Sequence, residues 1–112
     1  MYEQKDTYIV DFSEVEYYAQ MHSAIKDGLS FPDYYGNNWD AFWDCLTDMY
    51  GERINIEFIG VDKLRTAFGE EAENDIEILK RILYRFKHNY NDEFSDLIKI
   101  KIQDEDSTYY ID

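Results

Sequence analysis

Near its C-terminus the chain reads Leu97-Ile98-Lys99-Ile100-Lys101-Ile102, in which isoleucines alternate with lysines. A period of two puts the isoleucines on one side of an extended chain and the lysines on the other. β-branched residues also favour extended structure. The pattern therefore predicts a strand with one buried side and one side facing solvent.

Two other segments predict strands, and helical patterns separate the three. Residues 7–12 are rich in β-branched and aromatic types, and residues 53–60 alternate and end on glycine. Ser13 with Glu16 forms a capping-box pattern, which predicts a helix from Ser13 to a stop near Gly28. Further helices are predicted over residues 38–49, 61–68 and 73–88.

The order of these elements predicts the fold class. Helical crossovers between successive strands favour parallel pairing with right-handed connections. We therefore expect an α/β fold with a three-stranded parallel sheet flanked by helices. Residues 103–107 predict a turn, and residues 108–111 predict a short extra C-terminal strand that folds back on residues 97–102.

The composition limits the possible partners. A length of 112 residues suits one domain over residues 1–112, and the 18% aromatic content excludes a disordered acidic tail. The formal net charge of −14 repels nucleic acid and anionic membranes. The expected partners are therefore cationic, either basic proteins or metal ions, and we expect the free chain to be a monomer.

Cysteine usage and hydropathy indicate a compartment. Cys45 is the one cysteine, so no internal disulfide forms. No signal-peptide pattern and no apolar run of about 18 residues occurs in the sequence. We expect a cytoplasmic protein without a cofactor.

The segment that says most about function reads Tyr34-Tyr35-Gly36-Asn37-Asn38-Trp39-Asp40-Ala41-Phe42-Trp43-Asp44-Cys45-Leu46-Thr47-Asp48. Asn37 or Asn38 can cap the helix that follows, and at least one of the two tyrosines is expected to face solvent. At about 100° per residue, four apolar side chains share the side that should face the core. They are Trp39, Phe42, Leu46 and Met49.

Asp40, Asp44 and Asp48 stack along another side of this helix, with Trp43 at the boundary. Acids on a helix are usually just its solvated face, and the helix dipole itself favours Asp40 near the N-terminus. However, residues 27–52 contain six acids and no basic residue, whereas a solvated face normally mixes signs. A tryptophan beside unneutralised acids is typical of an interface that receives a basic partner.

The sequence from His22 to Thr47 resembles the barstar family. The matching core is Pro-x-Tyr-Tyr-Gly-x-Asn-x-Asp-Ala-x-Trp-Asp-Cys-Leu-Thr, which runs without a gap from Pro32 to Thr47. Barstar-like proteins are small intracellular inhibitors of ribonucleases, with a three-stranded parallel sheet and surrounding helices. The resemblance therefore implies an inhibitor that forms a one-to-one complex with a basic, secreted or toxin-type ribonuclease.

By position, the resemblance also implies a set of contact residues. Asp44 would be the central carboxylate in place of a substrate phosphate, and Asp40 would be its partner one turn earlier. Gly36 would allow close backbone approach to the enzyme. The remaining contacts implied by the resemblance are Tyr34, Asn38 and Trp43.

The chain departs from the family pattern in three places. The family's contact glutamate late in the long helix is not carried over, because Tyr84 or Arg85 lies near that position. Trp39 and Phe42 are bulkier than the usual aliphatic residues. The chain also continues past the last family strand, over residues 103–112.

Other kinds of chemistry fit less well. Asp40 and Asp44 lie on one exposed helix rather than across a cleft, so we expect no enzyme activity. His22, His88 and Cys45 lack metal-ligand spacing, and His22 and Cys45 are expected to be packed core residues. The alternative function is an acidic immunity protein or nucleic-acid mimic directed at a different basic nuclease or a DNA-binding protein.

Overall fold

The computed structural model describes residues 7–49, 53–88, 96–105 and 107–111. Within these residues, a four-stranded sheet has its strands in the order of the chain, and four helices flank it. The strands are β1 (Thr7–Asp11), β2 (Ile54–Ile59), β3 (Ile98–Asp104) and β4 (Ser107–Tyr110). The helices are α1 (Tyr18–Leu29), α2 (Trp39–Thr47), α3 (Val61–Phe68) and α4 (Glu71–His88).

The first three strands pair in parallel, which confirms the predicted sheet, and β4 adds a short antiparallel strand. β4 runs back along β3, with Tyr110 beside Lys101 and Tyr109 beside Ile102. The predicted return of the C-terminal segment is therefore confirmed. Among the described residues, no helix is long and apolar enough to cross a membrane.

The core lies between one face of the sheet and the helices. Tyr8, Ile56 and Ile100 form one row across the first three strands, and all three are buried. Their chain neighbours point to the opposite face, where Ile9 and Lys99 are exposed. The alternation of isoleucine and lysine in β3 thus separates the core from solvent, as the sequence predicts.

The predicted helix start at Ser13 is wrong. The Asp11 carboxylate accepts a hydrogen bond from the Ser13 backbone N–H at 2.8 Å, and a turn follows the strand there. α1 begins at Tyr18, where the Gln20 side-chain oxygen accepts from the backbone N–H groups of Glu16 at 2.6 Å and Tyr17 at 3.2 Å. Gln20 therefore satisfies the N–H groups of the N-cap residue Tyr17 and of the residue before it, which is the capping role that the sequence pattern predicts for Glu16.

Gly28 is not the stop of α1. The helix continues to Leu29, and Ser30 takes the left-handed conformation with φ of 57°. A Cβ atom at Gly28 would lie 2.5 Å from the carbonyl oxygen of Ile9. Gly28 is therefore the place where α1 packs directly on the backbone of β1.

The remaining helices match their predictions closely. α3 occupies residues 61–68 as predicted, and α4 begins two residues before the predicted Glu73. Arg65 of α3 binds Glu73 of α4 and both carboxylate oxygens of Asp104 in β3, at 2.6 and 2.7 Å. This network ties α3 and α4 to the C-terminal end of β3.

Candidate functional site

The loop before α2 is anchored by buried aromatic residues. The Tyr35 hydroxyl lies 2.7 Å from Nδ1 of His22, and both side chains are buried. The Tyr35 ring also packs on Phe31, whose ring in turn contacts Phe42 of α2. The loop is thus joined to α1 and α2 by side chains, which fixes where its exposed residues stand.

His22 is a core residue, as the sequence predicts. Its side chain is fully buried, and burial lowers its pKa to about 4. The ring is therefore neutral at physiological pH and packs against Trp39 with the ring centres 5.0 Å apart. Burial also raises the pKa of Tyr35, so its hydroxyl keeps its proton and remains available to His22.

Tyr34 and Gly36 lie on the outer side of this anchored loop. Tyr34 is 77% exposed, which confirms that at least one tyrosine of the pair faces solvent. Gly36 is exposed as well, and a Cβ atom there would lie 3.4 Å from Nδ2 of Asn38. A side chain at Gly36 would therefore meet only ordinary contacts within the free protein.

Asn38 caps α2, as one of the two predicted options. Its Oδ1 accepts from the Ala41 backbone N–H at 2.8 Å, and its Nδ2 donates to the Gly36 carbonyl at 3.1 Å. The same amide therefore satisfies the helix N-terminus and holds the loop against it. Asn38 is exposed, so its outer side remains open to solvent.

α2 separates an apolar side from an acidic side. Phe42, Leu46 and Met49 are buried as predicted, and Trp39 is partly buried against Phe42 and His22. On the other side, all three stacked aspartates are exposed, and none of them has an ion pair within the described part of the chain. We call Asp40, Asp44 and Asp48 the acidic stripe.

Trp43 lies at the edge of the acidic stripe, partly buried against the core. The guanidinium carbon of Arg85 lies 4.6 Å from the centre of the Trp43 ring, within cation–π range. α4 thus brings a cation to a surface that contains no basic residue in its own segment. The sequence points to position 85 only through the family register, because a contact between residues 42 positions apart leaves no local signal.

Cys45 is buried beside the acidic stripe, as predicted. Burial raises the pKa of its thiol, and the nearby charges of Asp48 and Asp44 raise it further. A thiol of this kind is a small core side chain rather than a nucleophile. Within the described residues, no three His, Cys, Asp or Glu side chains are grouped to hold a metal ion.

The structure brings all six residues of the predicted contact set onto the loop and one helix. Asp40, Asp44 and Tyr34 are exposed, whereas Asn38 and Trp43 also have structural contacts of their own. The arrangement presents carboxylates in a fixed position, and they have no ion pair with any residue that the structure describes. Such a surface is suited to binding rather than to acid–base chemistry, which uses groups facing each other in a cleft.

Comparison with known proteins identifies the family of this fold and surface. Residues 6–100 match the model of the family described as Barstar (barnase inhibitor). The chain is also 33% identical over 91 residues to Putative ribonuclease inhibitor YrdF of Bacillus subtilis (strain 168), an alignment that covers 81% of this chain and 96% of that protein. The chain therefore belongs to the barstar family, and both relationships point to an inhibitor rather than an enzyme. β4 lies beyond the matched residues.

Proposed function

We propose that this protein inhibits a basic ribonuclease of the barnase type by inserting the acidic stripe and the preceding loop into its active site. The observation that carries the proposal is the exposed pair Asp40 and Asp44, which lack intramolecular ion pairs among the described residues of a barstar-family chain. The inhibitor would act in the cytoplasm on an enzyme destined for secretion or on an incoming toxin.

Asp44 acts in place of a substrate phosphate. A carboxylate accepts two parallel hydrogen bonds from an arginine, as a phosphate does, so one aspartate can satisfy the group that normally holds the substrate. Asp40 lies one helical turn earlier on the same side and extends the acidic surface. Both carboxylates stand on a helix rather than a loop, so binding requires little ordering of the chain.

The loop and Trp43 provide the contacts around this charge. Tyr34 offers a large exposed ring with a polar tip, a type enriched at the centres of interfaces. Gly36 lacks a side chain where the loop faces outward, which allows the enzyme to approach the backbone. Asn38 holds the loop to the helix, and Trp43 supplies apolar area beside Asp44.

The net charge of the chain speeds the encounter. At −14, the protein attracts a basic cleft over distances of about the Debye length, roughly 8 Å at physiological salt. The best-known example of such steering is barnase with barstar itself. Association with the target should therefore be rapid and should slow as salt increases.

Titration of enzyme activity tests this function. Purified protein is added to a fixed concentration of each of several small basic microbial ribonucleases, including barnase, and RNA cleavage is followed. We expect a linear loss of activity that ends at one equivalent for the target enzyme. The same titration is repeated with deoxyribonucleases, for which DNA cleavage is followed, and with DNA-binding proteins, for which DNA binding is followed. These titrations test the alternative function as a nucleic-acid mimic.

Two outcomes would contradict the proposal. One is that every ribonuclease stays active while a deoxyribonuclease or a DNA-binding protein is titrated, which would identify a nucleic-acid mimic. The other is that inhibition by the protein is complete but survives substitution of both Asp40 and Asp44 by alanine. The second result would keep the inhibitor and remove the acidic stripe from its mechanism.

A further inference from the structure

The surface around Trp43 carries a positive charge as well as the negative charges of the acidic stripe. α4 lies against α2, and Arg85 stacks on the Trp43 ring at 4.6 Å. Arg85 is exposed and has no ion pair within the described residues. A positive charge therefore lies at the margin of the acidic stripe, and no carboxylate of the described residues pairs with it.

The last turns of α4 carry other exposed side chains near Arg85. Tyr84 is 56% exposed, and its ring lies 4.5 Å from the ring of His88 one turn later. Arg81, one turn before Arg85, is also exposed but pairs with Glu77 at 3.5 Å. Arg85 thus contacts α2 through Trp43, whereas Arg81 forms an ion pair within α4.

A lone cation at this place is costly if the partner is basic throughout. Like charges brought together in an interface weaken binding, and interfaces use such pairs to exclude wrong partners. Arginine beside an aromatic ring is also a common centre of binding energy, because the ring holds the guanidinium in a defined position. Arg85 would therefore favour ribonucleases that present an acidic side chain to it and disfavour those that present a basic one.

We infer that Arg85 determines target specificity by pairing with an acidic side chain on the rim of the ribonuclease active site, an inference that rests on the proposed function. The cognate enzyme has a basic centre that receives Asp44 and an acidic rim that faces Arg85. A ribonuclease with a basic rim at this position is disfavoured. The contact with the Trp43 ring holds the Arg85 guanidinium at the edge of the acidic stripe, where it faces the acidic rim of the enzyme.

The test measures association and dissociation rates for the ribonuclease that the protein titrates at one equivalent. Arg85→Gln removes the charge, Arg85→Glu reverses it, and Arg81→Glu is the matched control on the same helix. For Arg85→Glu we expect at least about tenfold weaker binding, which appears in the dissociation rate because association with a basic enzyme becomes no slower. Arg81→Glu should change the dissociation constant less than about threefold, because exposed Arg81 already pairs with Glu77 in its own helix.

Thermal unfolding of each variant separates binding from folding. If Arg85 only covers Trp43, Arg85→Gln and Arg85→Glu lower the unfolding temperature and leave the dissociation rate of the complex unchanged. That result, or tighter binding by Arg85→Glu, would overturn the inference while inhibition through Asp44 stands. If no ribonuclease is inhibited at all, the proposed function fails and this inference fails with it.

Discussion

The hydroxyl of Tyr35 lies 2.7 Å from Nδ1 of His22, so a buried hydrogen bond ties the loop before α2 to α1. The bond explains how adjacent tyrosines take opposite roles. Tyr35 is buried as the anchor, and its neighbour Tyr34 is held 77% exposed. The acidic stripe and the loop therefore stand on a packed aromatic base.

Removal of the Tyr35 hydroxyl should weaken the fold. Tyr35→Phe leaves the buried Nδ1 of His22 without its partner, and we expect a loss of about 1–3 kcal/mol in the free energy of unfolding. Urea denaturation followed by circular dichroism measures it. The control is Tyr34→Phe, whose exposed hydroxyl should contribute less than about 0.5 kcal/mol. Equal stability of the two variants would mean that the hydrogen bond does not anchor the loop.

Stability should fall as the pH drops below neutral because of His22. Its pKa is lowered to about 4 in the folded protein from the ordinary value of 6.5, so the unfolded chain binds a proton that the folded protein does not. The free energy of unfolding therefore decreases as the pH falls from about 6.5 to about 4, with a loss of about 2 kcal/mol by pH 5.

Comparison with a His22→Gln variant isolates this effect, since carboxylates titrate equally in both proteins. Urea unfolding at a series of pH values should give a stability difference between the two that shrinks as the pH falls. Parallel curves for the two proteins would show that His22 is not buried in its neutral form.

Replacement of glycine by alanine should have different effects on stability at Gly28 and at Gly36. A Cβ atom at Gly28 would lie 2.5 Å from the Ile9 carbonyl oxygen and 2.8 Å from the Val10 Cα atom, both backbone atoms of β1. We expect Gly28→Ala to destabilise the fold by about 1–3 kcal/mol, more than the helix preference of alanine returns. At Gly36 the nearest atoms are 3.4 and 3.5 Å away, so Gly36→Ala should leave stability nearly unchanged.

The same Gly36→Ala variant reports on the interface. If the ribonuclease approaches the backbone at Gly36, the added methyl group weakens binding although the free protein is unaffected. Isothermal titration with the target enzyme measures the effect. Unchanged affinity would remove Gly36 from the contact surface.

The sequence predicts elements well where a single period dominates. The isoleucine and lysine alternation predicts β3 directly, and the helix predicted over residues 61–68 has the observed bounds of α3. The predicted start of α1 at Ser13 is wrong because the pattern does not show where β1 ends. The Asp11 carboxylate accepts from the Ser13 N–H in a turn after the strand, and the Gln20 side chain caps the helix instead.

Parts of the candidate site depend on the fold and could not be read from the sequence. The spacing of Asp40, Asp44 and Asp48 predicts their common side, and their exposure confirms it. The Trp43 contact with Arg85 and the Arg65 bridge to Asp104 join distant segments, so local periodicity gives no sign of them. Gly28 likewise reads as a helix stop until its contact with β1 is known.

The role of Asp44 is tested most directly by the dissociation constant of the complex with a barnase-type ribonuclease, measured for the parent, Asp44→Ala and Asp48→Ala. We expect Asp44→Ala to weaken binding at least about 30-fold, the scale of an interface hot spot, and Asp48→Ala to weaken it far less. Because Asp44 has like charges four residues away on both sides, its loss should leave the unfolding temperature unchanged or slightly raised. Equal binding by Asp44→Ala and the parent would contradict the account.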